Sequence, residues 1–170
     1  MIPRPDPSEH APFYARYVEG VPDGDLLHTL RAQMDEVRAL AGGLSEAQAL
    51  HRYAEGKWSV KEVLAHVADA ERVMAYRALR IARGDATPMP GFDENAWVAA
   101  AGTDRRSLAE IVDEMGHVRQ ASIALLAPLG DDELARTGTA NGATVSVRAL
   151  AWIIAGHERH HLRLLRERYL

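Results

Sequence analysis

The chain has 170 residues, of which 47% are hydrophobic and 26% are charged, a balance typical of a globular domain and not of a disordered segment. A formal net charge of -4 offers no basic field to nucleic-acid phosphates, so we expect no nucleic-acid partner. The chain has no cysteine, which excludes disulfides, thiolate metal ligands and a cysteine nucleophile.

The N-terminal residues and the hydropathy pattern bear on where the protein resides. Residues 1–8 contain three prolines and no apolar core, so they do not resemble a signal peptide. No apolar run approaches the ~18 residues that a membrane span needs. We therefore expect a cytoplasmic protein with a single domain over residues 1–170, in which residues 1–22 form an extended N-terminal segment.

Two segments with helical periodicity lie in the first half of the chain. One covers about residues 25–41 and is predicted to end at Gly42-Gly43, because glycine readily adopts the left-handed conformation that ends helices. After a short connector, a second helix is predicted over residues 59–84. It begins with a capping box, in which Ser59 and Glu62 each bond to the other's backbone N–H.

The second half of the chain carries two more helical segments. A proline-containing loop over residues 84–105 precedes a third helix, which begins near Ser107 with another capping box. Asn141-Gly142 predicts a turn, and the last helix is predicted from about Val145 to the C-terminus. No strand alternation of useful length is visible. The expected fold class is all-α, with the four apolar stripes buried in a four-helix bundle.

The last helix carries two histidines four residues apart, His157 and His161. On a helical wheel both lie within the apolar stripe, and their β-carbons are about 5–6 Å apart, so both rings can reach one ion. Burial of a polar ring without a partner costs about 1–3 kcal/mol. Either a metal ion or hydrogen bonds to carbonyls or carboxylates could offset that cost, and the spacing alone leaves both interpretations open.

His66, near the middle of the second helix, is the candidate for a third ligand. It lies beside the apolar stripe rather than at its centre. From there a ring can reach into a cleft between helices or can serve a purely structural role. The remaining histidines off the stripes or in connecting segments are discounted as ligands, namely His10, His28, His51 and His117.

Residues 157–161, His-Glu-Arg-His-His, also match the H-E-x-x-H pattern, in which two histidines bind zinc and the glutamate acts as a base. Only nine residues follow His161 in the sequence given, which leaves little room for the further ligand of the common metalloprotease families. A metalloprotease is therefore a weak interpretation.

Two motifs carry a family resemblance. Residues 57–66, Lys-Trp-Ser-Val-Lys-Glu-Val-Leu-Ala-His, with Asp-Ala-Glu-Arg at 69–72, resemble the second-helix signature of the DinB-like superfamily, especially its YfiT-type branch. Residues 156–161, Gly-His-Glu-Arg-His-His, resemble that family's last-helix motif. The likeness covers nearly the whole chain, including Pro-Gly-Phe-Asp-Glu-Asn-Ala-Trp at 90–97.

The resemblance implies a four-helix bundle, often a homodimer, with one divalent metal ion bound by three histidines. By their places in the motifs the ligands would be His66, His157 and His161, whereas His160 would not be one. Family members with assigned activities include thiol-dependent transferases and isomerases that use bacillithiol, mycothiol or glutathione. Others are described as metal-dependent hydrolases.

Three neutral imidazoles would leave the ion its +2 charge and at least one open position, as in catalytic rather than structural sites. Zinc or nickel suits an all-nitrogen donor set best, and iron and manganese are also compatible. The open position could bind a small thiol and deprotonate it for S-transfer, which the resemblance favours. It could instead bind water and lower its pKa to about 7, giving a hydroxide for hydrolysis. A metal-stabilised bundle that binds a ligand without turnover is a third hypothesis.

Several other side chains could surround such a site. Four carboxylates are candidate acid–base or supporting groups, although each could instead be a surface or capping charge: Asp69, Glu71, Asp93 and Glu94. His160, on the edge of the last helix's stripe, is a further candidate for the pocket. Three apolar residues could line a substrate pocket or simply seal one end of the bundle: Met89, Phe92 and Trp97.

Overall fold

Four long helices form the body of the molecule, which a computed structural model describes over residues 1–170. They are α2 (Leu26–Gly42), α4 (Val60–Ala82), α6 (Leu108–Leu126) and α8 (Val147–Arg168). The shorter elements are α1 (Ala15–Glu19), α3 (Glu46–Ala49), α5 (Glu94–Ala101), α7 (Asp131–Ala135), β1 (Thr137–Ala140) and β2 (Ala143–Ser146). Single 3-10 turns cover Pro7–Glu9, Pro12–Tyr14 and Thr103–Arg105.

Side-chain caps begin the long helices where the sequence predicts them. The Ser59 hydroxyl accepts from the backbone N–H of Glu62, whose carboxylate accepts from the N–H of Ser59. Ser107 and Glu110 form the same reciprocal pair at the start of α6. These bonds satisfy N–H groups that the first turn of a helix leaves without a partner.

The four long helices form a ring in the order α2, α6, α4, α8. In this ring α4 packs against α6 and α8, and α2 packs against the same two helices. The predicted four-helix bundle is therefore confirmed. No helix combines the length and the hydropathy that crossing a lipid bilayer demands.

A two-stranded hairpin departs from the all-helical expectation. β1 and β2 pair antiparallel around Asn141-Gly142, and both turn residues have positive φ, as tight hairpin turns require. The turn was predicted, but strands of four residues are too short to show alternation. Because Val145 belongs to β2, α8 begins at Val147 with Ser146 as its cap, two residues later than expected.

Other local predictions also need correction. Residues 1–22 are not an extended segment throughout, since they contain two 3-10 turns and α1. The predicted loop over 84–105 contains α5, which Asp93 caps. α2 ends at Gly42-Gly43 as predicted, but Gly43 has a φ of -85°, so the left-handed conformation is not the reason.

Two apolar clusters fill the bundle, and each long helix contributes to both. On α8, Val147 and residues 149–155 belong to one cluster and residues 162 and 165 to the other, and Glu158 lies between them. Glu71 on α4 and Arg119 on α6 hold the corresponding intermediate positions and are also buried. A polar layer therefore crosses the middle of the bundle.

Candidate metal centre

The rings of His66, His157 and His161 converge between α4 and α8. Nε2 of His157 lies 3.2 Å from Nε2 of His66 and 3.1 Å from Nε2 of His161. One ligand atom from each of the three residues lies within 4.8 Å of the others. His66 and His161 are each 8% exposed, and His157 is partly buried. The packing of α4 on α8 thus brings together three residues from two distant parts of the sequence.

All three imidazoles are held in their neutral form. Burial lowers the pKa of His66 to about 4 and that of His161 to about 3. Burial, reinforced by the neighbouring histidines, also lowers the pKa of His157 well below its ordinary value. Neutral imidazoles keep the lone pair that a metal ligand requires.

The arrangement of these nitrogens fits a divalent metal ion. In a tetrahedral site with metal–nitrogen distances of 2.0–2.1 Å, neighbouring ligand nitrogens are about 3.3 Å apart. Two of the three nitrogen pairs here are separated by 3.1 and 3.2 Å. The donor set is composed of nitrogen alone, which suits zinc or nickel.

A cavity of about 460 Å³ adjoins the three histidines. The face of α4 that carries His66 forms one wall of it. Other walls come from the N-terminal segment, from the chain around Gly91 and Phe92, and from the hairpin. A pocket of this size can bury most of a small organic ligand. The three nitrogens therefore face a space that a substrate could occupy.

The N-terminal segment reaches this cavity because α8 has a glycine where α1 crosses it. A β-carbon at Gly156 would lie 2.0 Å from the carbonyl oxygen of Tyr17. With only a hydrogen at that position, Tyr17 packs edge-on against the rings of His157 and His160, with centroids 5.4 and 5.6 Å apart. Gly156 therefore lets an aromatic residue cover the histidine cluster.

The buried carboxylates lie in the polar layer and not at the histidine cluster. Arg119 donates from Nε and Nη2 to Glu71 and from Nη2 to Glu158, with distances of 2.5–3.2 Å. Burial alone would lower the pKa of Arg119, but its bonds to Glu71 and the charge of Glu158 raise it. Burial raises the pKa of Glu158. Because Glu158 bonds to Arg119, it is not placed as the base of an H-E-x-x-H protease.

Among the other candidate carboxylates, only Glu94 lines the cavity. Asp69 accepts a bond from Arg72 three residues along α4, and Asp93 accepts from the first N–H groups of α5. Neither lines the cavity, so of the two roles that the sequence left open for them, their contacts favour the surface or capping role. Their partners are local ones, as surface and capping charges usually have.

Of the other residues that the sequence offered for the pocket, some line the cavity and some do not. Phe92 and His160 line the cavity. Trp97 packs on Phe92, with ring centroids 4.7 Å apart, but is 45% exposed and does not line it. Met89 is buried in the core, where its backbone pairs with the hairpin. The loop therefore both walls the cavity, through Phe92, and seals the bundle, through Met89.

Comparison with known families agrees with this architecture. A protein-family sequence model, described as the DinB superfamily, matches residues 29–165. The chain belongs to the DinB superfamily. Three bacterial relatives each bear the name "Putative metal-dependent hydrolase". The protein of Oceanobacillus iheyensis is 26% identical over 70% of this chain and 69% of its own. The protein of Geobacillus thermodenitrificans is 29% identical over 78% of this chain and 75% of its own. The protein of Bacillus licheniformis is 28% identical over 74% of this chain and 73% of its own.

Two solved structures share the fold. YfiT from Bacillus subtilis, described as a probable metal-dependent hydrolase with an unusual four-helix bundle topology, superposes with a TM-score of 0.72 at 17% identity. The alignment covers 96% of this chain and 91% of YfiT. The mycothiol-dependent maleylpyruvate isomerase superposes with a TM-score of 0.68, also at 17% identity, over 86% of this chain and 61% of its own.

Sequence reasoning missed several residues of this DinB-superfamily cavity. Tyr17, Arg16 and Phe13 lie in the N-terminal segment, and Arg77 lies on α4 eleven residues after His66. A signal was present for the first group, because three aromatic residues within residues 13–17 are unusual for a solvent-exposed arm. The sequence also contained a signal for Arg77, because this residue falls on the same helical face as His66.

Proposed function

We propose that this chain is a divalent-metal-dependent enzyme that activates a low-molecular-weight thiol for S-transfer. Its metal, zinc or nickel, would be held by Nε2 of His66, His157 and His161. The observation that carries the proposal is the convergence of three neutral imidazoles beside a substrate-sized cavity. When bound, the ion would lower the pKa of a substrate thiol, so that the thiolate is available at neutral pH.

The surroundings of the cluster favour a thiol over water as the activated group. The cavity contains one carboxylate, Glu94, since Glu71 and Glu158 bond to Arg119. A thiol bound to the metal would be deprotonated outright at neutral pH, whereas bound water, with a pKa of about 7, would be only partly ionised there. The cysteine-free chain cannot supply a thiolate itself, so the nucleophile would come from the substrate.

The protein's own side chains would position and shelter the thiol. Trp58 lies against His66, with ring centroids 4.7 Å apart, and Tyr17 covers His157 from the other side. Aromatic walls exclude water from the cluster and so strengthen the electrostatic effects there. The fold that this chain shares with a mycothiol-dependent isomerase is compatible with thiol chemistry.

Hydrolysis is the second candidate, and two observations favour it. Three relatives bear the metal-dependent hydrolase name. In addition, Glu94 lines the cavity that adjoins the cluster, and its negative charge opposes the lowering of the pKa of His66. In this alternative Glu94 would accept a proton from the attacking water.

One experiment separates these functions. The protein as purified is assayed for metal and then for turnover with a thiol plus an electrophile, and with a panel of esters and amides. Steady thiol transfer that is lost on chelation and in His157→Ala, but is retained in His160→Ala, supports the first proposal. Hydrolysis lost in Glu94→Gln supports the second. Binding without turnover across both panels identifies a non-catalytic metal-stabilised module.

We also propose that the protein is a homodimer. Tyr76 and Leu79, three residues apart on α4, are 56% and 38% exposed, so one helix face presents large apolar side chains to solvent. Light scattering at micromolar concentration tests this proposal. A mass of one chain, 18.7 kDa, would contradict it.

A further inference from the structure

Arg77 is a buried cation without a carboxylate partner. It is 3% exposed, and no carboxylate oxygen lies within ion-pairing distance of it. Its Nη2 donates to the carbonyl of Pro90 at 2.7 Å, and its Nη1 lies 3.9 Å from the sulfur of Met74. Burial of a guanidinium without a counter-ion is costly, so such groups usually have an anionic partner.

The other buried cations of this chain follow that rule. Arg119 bonds to two carboxylates in the polar layer. Lys61, also 3% exposed, lies 2.6 Å from Glu46. Arg77 differs from both because it lines the cavity next to the histidine cluster. Arg77 therefore forms part of the wall that an occupant of that space would contact.

The position of Arg77 along α4 sets its distance from the cluster. His66, Ala70, Met74 and Arg77 all line the cavity and follow one helical face at intervals of four, four and three residues. At 1.5 Å per residue, the eleven residues from His66 to Arg77 span about 16 Å along the helix. The backbone positions of the two residues are thus three turns apart on the wall that α4 contributes to the cavity.

The walls between the two ends are mostly apolar. Ala70 and Met74 come from α4, and Phe92 faces them from the following loop. The charged residues of the lining are one carboxylate, Glu94, and two arginines, Arg16 and Arg77. Arg16 stacks on the rings of Phe13 and Tyr17 in the N-terminal segment, whereas Arg77 lies on α4, where it bonds to the carbonyl of Pro90 and to no carboxylate.

We infer that Arg77 binds a carboxylate at the far end of an elongated substrate whose reacting group lies at the histidines. The planar guanidinium presents paired donors that match a carboxylate, and its burial excludes competing water. An apolar chain between the two polar ends would match the walls. This inference rests on the proposed function, because the thiol of such a substrate is what the metal would bind.

Pairs of thiols that differ only at the far end test the inference. Isothermal titration calorimetry would compare 6-mercaptohexanoate, 8-mercaptooctanoate and 11-mercaptoundecanoate with the matching mercaptoalcohols, using protein with its own metal. At the best-fitting length we expect the acid to bind about tenfold to a hundredfold more tightly than the alcohol, as charge-assisted hydrogen bonds provide. Arg77→Gln should remove this preference, so that the acid and the alcohol bind with equal affinity.

Two variants refine the test. Arg77→Lys keeps the charge without the paired donors and should retain only part of the preference. Arg83→Gln removes an exposed arginine at the end of the same helix, outside the cavity, and should retain all of it. Equal binding of acid and alcohol by the wild type, or no binding of either, overturns the inference whether or not the variants fold.

Chelation separates this inference from the proposed function. If metal removal weakens acid and alcohol equally, both proposals stand. If metal removal leaves both affinities unchanged while the preference for acid persists, the thiol-activating role fails and the role of Arg77 survives. If metal removal weakens both thiols but the wild type never distinguishes acid from alcohol, only the role of Arg77 fails.

Discussion

Nε2 of His66 lies 3.2 Å from Nε2 of His157, although the two residues are 91 positions apart in the sequence. The contact depends on α4 and α8 being neighbours in the bundle and on the rotation of each helix about its axis. Since both helices also contribute to the two apolar clusters, core packing fixes that rotation. The geometry of the candidate centre is thus a consequence of how the core is packed.

Removal of any one ring of the cluster should remove the metal. We expect His66→Ala, His157→Ala and His161→Ala to lose stoichiometric metal, because two imidazoles do not hold a divalent ion tightly. His160→Ala is the matched control, since His160 lies on the same helix and lines the cavity without joining the converging nitrogens. Elemental analysis of the purified variants measures the outcome. Full metal content in any of the first three variants would contradict the ligand assignment.

The metal-free protein should lose stability as the pH falls from about 6.5 to about 4. In the folded protein burial lowers the pKa of His66 to about 4, whereas in the unfolded chain its pKa is about 6.5. Between these values the unfolded state binds the extra proton, so the free energy of unfolding decreases with falling pH. The loss for His66 should reach up to roughly 3 kcal/mol. His157 and His161, whose pKa values are also lowered, should add to it over the same interval, and their contributions continue to still lower pH.

Urea denaturation of chelated protein at several pH values between 7 and 4 measures this dependence. His66→Gln cannot titrate, so its stability should decline less steeply over the same interval. Carboxylates elsewhere, such as Glu9, whose bond to Arg148 lowers its pKa to about 2, affect both proteins equally. Identical slopes for the variant and the wild type would exclude a depressed pKa at His66.

Local signals in the sequence were sufficient for much of the fold and for part of the centre. The capping boxes of α4 and α6 involve residues three apart, and His157 and His161 are four apart, so each is visible within one turn of helix. The third ring is different. The place of His66 beside α8 depends on packing between helices. Its position next to the apolar stripe made it a candidate that could also be structural, and the family resemblance then gave it as a ligand.

The features that the sequence did not reveal depend on contacts between distant parts of the chain. Arg119 is an arginine within an otherwise apolar face, and its burial depends on carboxylates from two other helices. The N-terminal segment covers the cavity through the contact of Tyr17 with Gly156, more than 130 residues away. Asp69 and Asp93 differ from these residues, because each has a partner close by in sequence, in keeping with the surface or capping role that the sequence left open.

The buried ion cluster should be necessary for stability. Arg119→Met leaves Glu71 and Glu158 buried without a counter-ion, and we expect a loss of about 3–5 kcal/mol in the free energy of unfolding. Arg72→Met, which removes an exposed arginine of α4, should cost less than about 1 kcal/mol. Urea denaturation at pH 7 compares them. Adding Glu71→Gln and Glu158→Gln to Arg119→Met should recover part of the loss, and no recovery would indicate that lost packing dominates.

Gly156→Ala should destabilise the protein even though alanine favours helices. Helix propensity alone predicts that this substitution raises the free energy of unfolding by about 1 kcal/mol. The added β-carbon would lie 2.0 Å from the carbonyl oxygen of Tyr17, so α1 must move away from α8. We expect the free energy of unfolding to fall by about 1–3 kcal/mol overall, as it does in overpacked cores. Trypsin should also cleave the variant faster after Arg16. Gly42→Ala is the control, because its β-carbon meets nothing within 4 Å and it should be neutral or stabilising. If both variants are stabilised equally, α1 does not depend on Gly156 for its position over the histidines.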